Sequence, residues 1–133
     1  MKENYTPMTM AKSDYRKMVE PYKEEALKTL KEYVDIDSVY DESTITKEHP
    51  FGQGVENALS YVAKLGEKLG FHVDRCDNYV TELTYGEGDK TFDIYAHSDV
   101  VPVIKKNWTK KPFELIEEDG VLYGRGTCDD KGP

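Results

Sequence analysis

A histidine and a small set of carboxylates near the end of the chain are the residues best suited to chemistry. His97 and Asp99 lie in Tyr95-Ala-His-Ser-Asp-Val-Val-Pro102, and Asp129, the first of the pair Asp129-Asp130, lies in Leu122-Tyr-Gly-Arg-Gly-Thr-Cys-Asp-Asp-Lys-Gly-Pro133. Imidazole and carboxylate together form the donor set that zinc and neighbouring divalent ions accept. Two residues apart on an extended segment, His97 and Asp99 leave the same face of the chain. One can then ligate while the other accepts a hydrogen bond from the second ring nitrogen, fixing the tautomer. Gly124 and Gly126 free the backbone ahead of the acidic pair. Taken singly, the first element also fits a surface pair at a strand end, and the second a solvent-facing acidic turn. Their occurrence together, joined by Pro102, Trp108 and Pro112-Phe113, favours a metal site.

The elements that must position these residues are legible from periodicity. Met18, Tyr22, Ala26, Leu27, Leu30, Tyr33 and Val34 recur at steps of three and four, which predicts a helix over residues 14–34. Pro21 requires that this helix either start near Glu20 or bend there. Residues 35–54 carry turn chemistry throughout, and so long a connection is expected to lie beside a site or an interface. Val55, Ala58, Leu59, Val62, Leu65 and Leu69 predict a second helix over 55–69, closed by Gly70. From there the period falls to two. Strands are expected over 71–75, 79–85 and 91–97, the last two separated by Gly86-Glu-Gly-Asp89, with short strands near 113–116 and 121–123 around Glu118-Asp-Gly120. The fold class expected is α/β, two helices packed on a mixed β-sheet. Residues 1–12 read as a polar lead-in and 13–133 as an incomplete α/β domain.

Composition narrows the function. The 133 residues carry 26 acidic against 18 basic side chains, a net charge of −8 that repels a phosphate backbone, so nucleic acid is not an expected partner. Lys105, Lys106, Lys110 and Lys111 around Trp108 fit a solvated loop as well as a basic patch. No stretch approaches the roughly 20 apolar residues of a membrane span, and the first residues contain no apolar run like that of a secretion signal, so a cytoplasmic location is expected. Cys76 and Cys128 are far apart and form no CxxC pair, which suits reduced thiols. Cys76 is expected half-buried at a strand end and Cys128 a spacer. His49 sits in the turn-rich loop and His72 on the solvent face of a strand, and neither is expected to touch metal.

Ile36-Asp-Ser-Val-Tyr-Asp-Glu-Ser-Thr44, Pro50-Phe-Gly52, Gly70-Phe71, Tyr85-Gly-Glu-Gly88, His97 to Pro102 and Leu122 to Pro133 together resemble the catalytic-domain signature of the co-catalytic zinc peptidases of the aminoacylase and carboxypeptidase superfamily. The resemblance is greatest to the bacterial peptidase V type dipeptidases. It implies that His97 ligates one zinc, that Asp99 is the catalytic residue orienting His97, and that Asp129 bridges two zinc ions with Asp130 following through a cis peptide. It also implies two Zn2+ per complete enzyme, although the donor set would accept Co2+ or Mn2+. Ala96 stands where glycine is common and Ser98 where leucine is common, and residues 103–107 lack a frequent glycine. These departures read as loop variation. The paired glutamates, one of them the general base, the further ligands and the lid domain of the family lie downstream of Pro133. The chain is therefore expected to be an N-terminal fragment, inactive alone, whose partners are a dipeptide or short peptide substrate in the complete enzyme and the missing C-terminal part of the chain. Self-association of the fragment is a further expectation. A related N-acyl amino acid amidohydrolase or carboxypeptidase, and a non-enzymatic α/β module docking a partner chain, are the alternatives.

Overall fold

The computed structural model describes residues 12–133. Apart from its last residue, the polar lead-in expected over 1–12 lies outside the described residues; Lys12 already opens the first helix. Helix α1 (Lys12–Val19) and helix α2 (Lys23–Val34) are joined by a 3-10 turn over Glu20–Tyr22. Pro21 sits in that turn, where its missing N–H breaks no helical bond, so of the two sequence alternatives the bent helix is the one observed. Helix α3 (Gln53–Lys68) starts two residues earlier than its apolar stripe predicts and is capped by Leu69, with Gly70 in the left-handed region at φ 86°.

The two long helices pack through Tyr61 of α3. Its ring stacks on Tyr33 of α2 at 5.5 Å, and its hydroxyl donates to Thr29 O and Glu32 Oε2, each at 3.0 Å. Burial pushes the Tyr61 phenol up to about 12, so it stays a donor throughout the neutral range. Strand β1 (His72–Asp74) and strand β2 (Glu82–Thr84) pair antiparallel and lie against α3. Just past β1, Arg75 bonds Glu56 at 2.7 Å and Ser60 at 3.1 Å, fastening the ribbon to the helix. His72 is exposed, as expected. Cys76 corrects the expectation: it is exposed, in a 3-10 turn at φ 41°, because the strand ends before reaching it.

Strand β3 (Ile116–Glu118) and strand β4 (Val121–Tyr123) form a second antiparallel pair. Asp119 and Gly120, both at positive φ, make the two-residue turn that suits hairpin twist. The architecture is thus α/β, with helices on small antiparallel sheets; the parallel component of the expected mixed sheet is a single bridge, Val39 to Val100. That bridge, reinforced by Val100 N donating to Ser38 O at 3.1 Å, shows that the long loop after α2 braces the segment bearing His97. Among the described residues Val34, Val55, Ala58, Ala63, Val100 and Leu115 make the buried apolar core, drawn from α2, α3, the segment bearing His97 and the residue just before β3.

The strand expected over 91–97 is not formed. Phe92, Ile94 and Tyr95 are 89%, 82% and 90% exposed, and no strand among the described residues pairs with them. β-propensity measures fit to a pleated, half-buried surface, and here that surface has no neighbour on either side. Among the described residues no helix is long and apolar enough to cross a membrane.

Candidate metal centre

Two segments build the site. The first runs from Ala96 to Val100 and is held at its buried end, where Val100 enters the core. The second is the glycine-marked turn from Gly124 to Lys131. Thr127 donates to Gly124 O from its hydroxyl at 3.0 Å, and Lys131 N donates to Gly126 O at 2.9 Å, coiling the acidic pair into a tight loop. Gly126 takes φ 92°, and a Cβ there would stand 3.1 Å from Val100 Cγ1, so glycine both permits the turn and lets the two segments touch. The Asp129-Asp130 peptide is cis, as the resemblance implied.

His97 lies between three carboxylates. Its Nε2 is 3.0 Å from Asp129 Oδ1, and its Nδ1 is 3.2 Å from Asp99 Oδ1 and 3.0 Å from the Asp99 carbonyl oxygen. Its backbone N–H points to Asp130 Oδ2 at 3.4 Å. His97, Asp99 and Asp129, all singled out from sequence, therefore meet in one place, although the carrier of the first two is an unpaired segment rather than the expected strand. The hydrogen bond to Asp129, aided by Asp99, raises the His97 pKa above its ordinary value. With metal–ligand distances of about 2.0–2.2 Å, two ligands of one tetrahedral ion stand about 3.3–3.6 Å apart, so the 3.0 Å hydrogen bond would have to open by a few tenths of an ångström to admit one. His97 and Asp129, 49% and 81% exposed, offer one nitrogen and one oxygen to such an ion from the solvent side. Among the described residues no group of three or more His, Cys, Asp or Glu side chains is placed to hold a metal ion.

Without metal, the raised His97 pKa has a direct consequence. A ring stabilised in its charged form contributes stability in full below its unfolded value, near 6.5, and that contribution is lost as pH rises through the higher folded value. NMR titration of the ring is expected to give a midpoint above about 6.5 in the metal-free chain, and Asp129→Asn to bring it back towards that value. An unshifted midpoint in the unmodified chain would contradict the 3.0 Å contact.

Residues the sequence did not single out complete the site. Ser98, read as loop variation, accepts a hydrogen bond from the Tyr33 hydroxyl at 2.7 Å on its own hydroxyl and one from the Ser38 hydroxyl at 2.6 Å on its carbonyl oxygen. Lys131 is buried, and its ammonium donates to Tyr33 O at 2.9 Å and Ile36 O at 2.7 Å while lying over the Tyr33 ring. Burial pushes Lys131 down to about 8 and the Tyr33 phenol up. The available signals were slight: a tyrosine on an apolar stripe, a serine in a turn-rich loop, a lysine after two aspartates. Of the lysines near Trp108, Lys110 pairs with Glu118 and Lys111 with Glu114. Cys128 is an exposed thiol.

The model of peptidase family M20/M25/M40 matches residues 94–133, the stretch that holds His97, Asp99 and Asp129. A Beta-Ala-Xaa dipeptidase of Lactobacillus delbrueckii subsp. lactis is 38% identical over 121 residues, which is 90% of this chain and 26% of the relative. Human carnosine dipeptidase 1 superposes with a TM-score of 0.66 at 25% identity, over 91% of this chain and 28% of its own. The di-peptidase Dug1p of Saccharomyces cerevisiae superposes with a TM-score of 0.71 at 20% identity over the same shares, which speaks for the fold. The chain spans about a quarter of the length of the curated relatives it matches. It belongs to the M20 peptidase family, as a partial region related to that family's dipeptidases.

Proposed function

We propose that the chain is the N-terminal part of a di-zinc dipeptidase, in which His97 and Asp129 ligate metal and Asp99 orients His97. The observation that carries this reading is the 3.0 Å approach of His97 Nε2 to Asp129 Oδ1, with Asp99 against the other ring nitrogen. When bound, the zinc ions supply an activated water and Lewis-acid polarisation of the scissile carbonyl. The protein's own part is positional and electrostatic. Asp99 accepts a hydrogen bond from Nδ1–H on its carbonyl oxygen, with its carboxylate 3.2 Å away, which would leave the Nε2 lone pair free for coordination. Asp129 brings negative charge to the same point, and Asp130 holds the His97 backbone N–H. The general base and the remaining ligands belong, on this reading, to the portion of the relatives that this chain does not span. The relatives' names support a dipeptide as substrate, with a β-alanyl dipeptide the first to try. A reducing, cytoplasmic setting goes with two free, exposed cysteines.

Calorimetry tests the reading. Zinc titrated into the 133-residue chain is expected to show no pair of tight sites, and the chain alone no dipeptide hydrolysis. Fused to the downstream portion of the Lactobacillus relative, the same residues are expected to take up two zinc ions and hydrolyse a β-alanyl dipeptide. Two tight sites in the chain alone, or a folded fusion that binds no zinc, would overturn the proposal.

A further inference from the structure

His97, Asp99 and Asp129 have no packing of their own to hold them, since all three are substantially exposed. Their orientation must come from the backbone that carries them, and both carrying segments are tied to one place, the C-terminal end of α2 and the residues just after it. On one side, Ser98, which stands between His97 and Asp99, is gripped twice. Tyr33 takes its hydroxyl at 2.7 Å, and Ser38, itself fully buried, takes its carbonyl oxygen at 2.6 Å. Two bonds from different residues to opposite ends of Ser98 fix its rotation about the chain axis, and with it the directions in which the flanking side chains leave. On the other side, the Lys131 ammonium is bound by the carbonyl oxygens of Tyr33 and Ile36, which seats the turn bearing Asp129 on the same helix end. The negative pole of a helix C-terminus suits that cation.

We propose that the end of α2 is the positioning element of this centre, with Tyr33 the positioning residue that aims His97 at Asp129 through its hydroxyl bond to Ser98. The inference rests on the metal-site reading for its purpose but not for its test, because aim can be measured without metal. Tyr61 provides the control: its hydroxyl belongs to the same aromatic stack and, among the described residues, bonds Thr29 and Glu32, away from Ser98.

The experiment is a double-mutant cycle on the metal-free chain, read by the NMR cross-relaxation between the His97 ring and the Asp129 β-protons, with circular dichroism and thermal unfolding to verify the fold. Tyr33→Phe and Ser98→Ala are each expected to weaken that cross-peak at least twofold. The double variant should lose no more than either alone, since both remove one bond. Tyr61→Phe should leave it unchanged. The proposal is overturned if Tyr33→Phe keeps the full cross-peak, if Tyr61→Phe weakens it equally, or if the two losses add. Should Tyr33→Phe fail to fold, Ser98→Ala, which removes the same bond from the other side, decides on its own cross-peak. Zinc calorimetry of the fusion separately decides the metal reading, so failure of one leaves the other standing.

Discussion

Asp129→Asn, placed in the chain fused to the downstream portion of the Lactobacillus relative, is expected to lower kcat/KM for a dipeptide about 10³-fold, with zinc content falling alongside. The amide keeps the shape of the carboxylate but removes its charge and, on the proposed reading, one of the two oxygens that would hold metal. Metal stabilisation of the transition state is worth several kcal/mol, and each 1.36 kcal/mol is tenfold in rate, so losing a shared ligand is a change of about three powers of ten. Asp99→Asn should be milder, about 10- to 100-fold, because that residue acts on metal through the His97 ring. Activity within tenfold of the unmodified fusion in Asp129→Asn would remove Asp129 from the metal shell. Equal losses in the two variants would merge the roles separated here.

Gly54→Ala is expected to be strongly disruptive for a single added methyl. Gly54 lies in the first turn of α3, and an added Cβ would press into the backbone carbonyl oxygen of Asp37 while meeting Ser38 Cα at 3.4 Å. A backbone oxygen cannot swing aside as a side-chain tip can, so either α3 or the segment after α2 must shift. Overpacking of this kind costs about 3 kcal/mol, a large part of the 5–15 kcal/mol that folded domains have in total. With a urea dependence of roughly 1–3 kcal/mol per molar, the unfolding midpoint should drop by about 1 to 3 M. Gly70→Ala, where φ is positive but no atom of the described residues stands within 4 Å of the new Cβ, is the comparison and should cost less. The segment displaced by Gly54→Ala includes Ser38, so the cross-peak between His97 and Asp129 should weaken in the same variant even where it remains folded.

Much of this was legible in the amino-acid order, for local reasons. The stripes of α2 and α3, the stop at Gly70 and the Asp119-Gly120 turn are short-range signals, and each appears within two residues of its expected place. His97, Asp99 and Asp129 stood out because their residue types and glycine-marked surroundings are unusual together. What could not be read depends on distant partners. Residues 91–97 have the composition of a strand, but a strand is a pairing, and no local pattern says whether the pair is present. Tyr33 meets Ser98 across 65 positions and Lys131 meets the end of α2 across 98 and 95, so neither bond leaves a trace in local sequence. Cys76 was misplaced because three consecutive residues at positive φ, Cys76, Asp77 and Asn78, cut the chain out of its extended path.

Suspending both donor-bearing segments from one helix end makes their separation a difference between two attachments to a common mount. Thermal drift of α2 as a body carries the imidazole and the carboxylate together and cancels in the gap between them, leaving only the slack of a few hydrogen bonds about 2.6 to 2.9 Å long. Tolerance in such a joint is set by its shortest links, however much the rest of the frame moves.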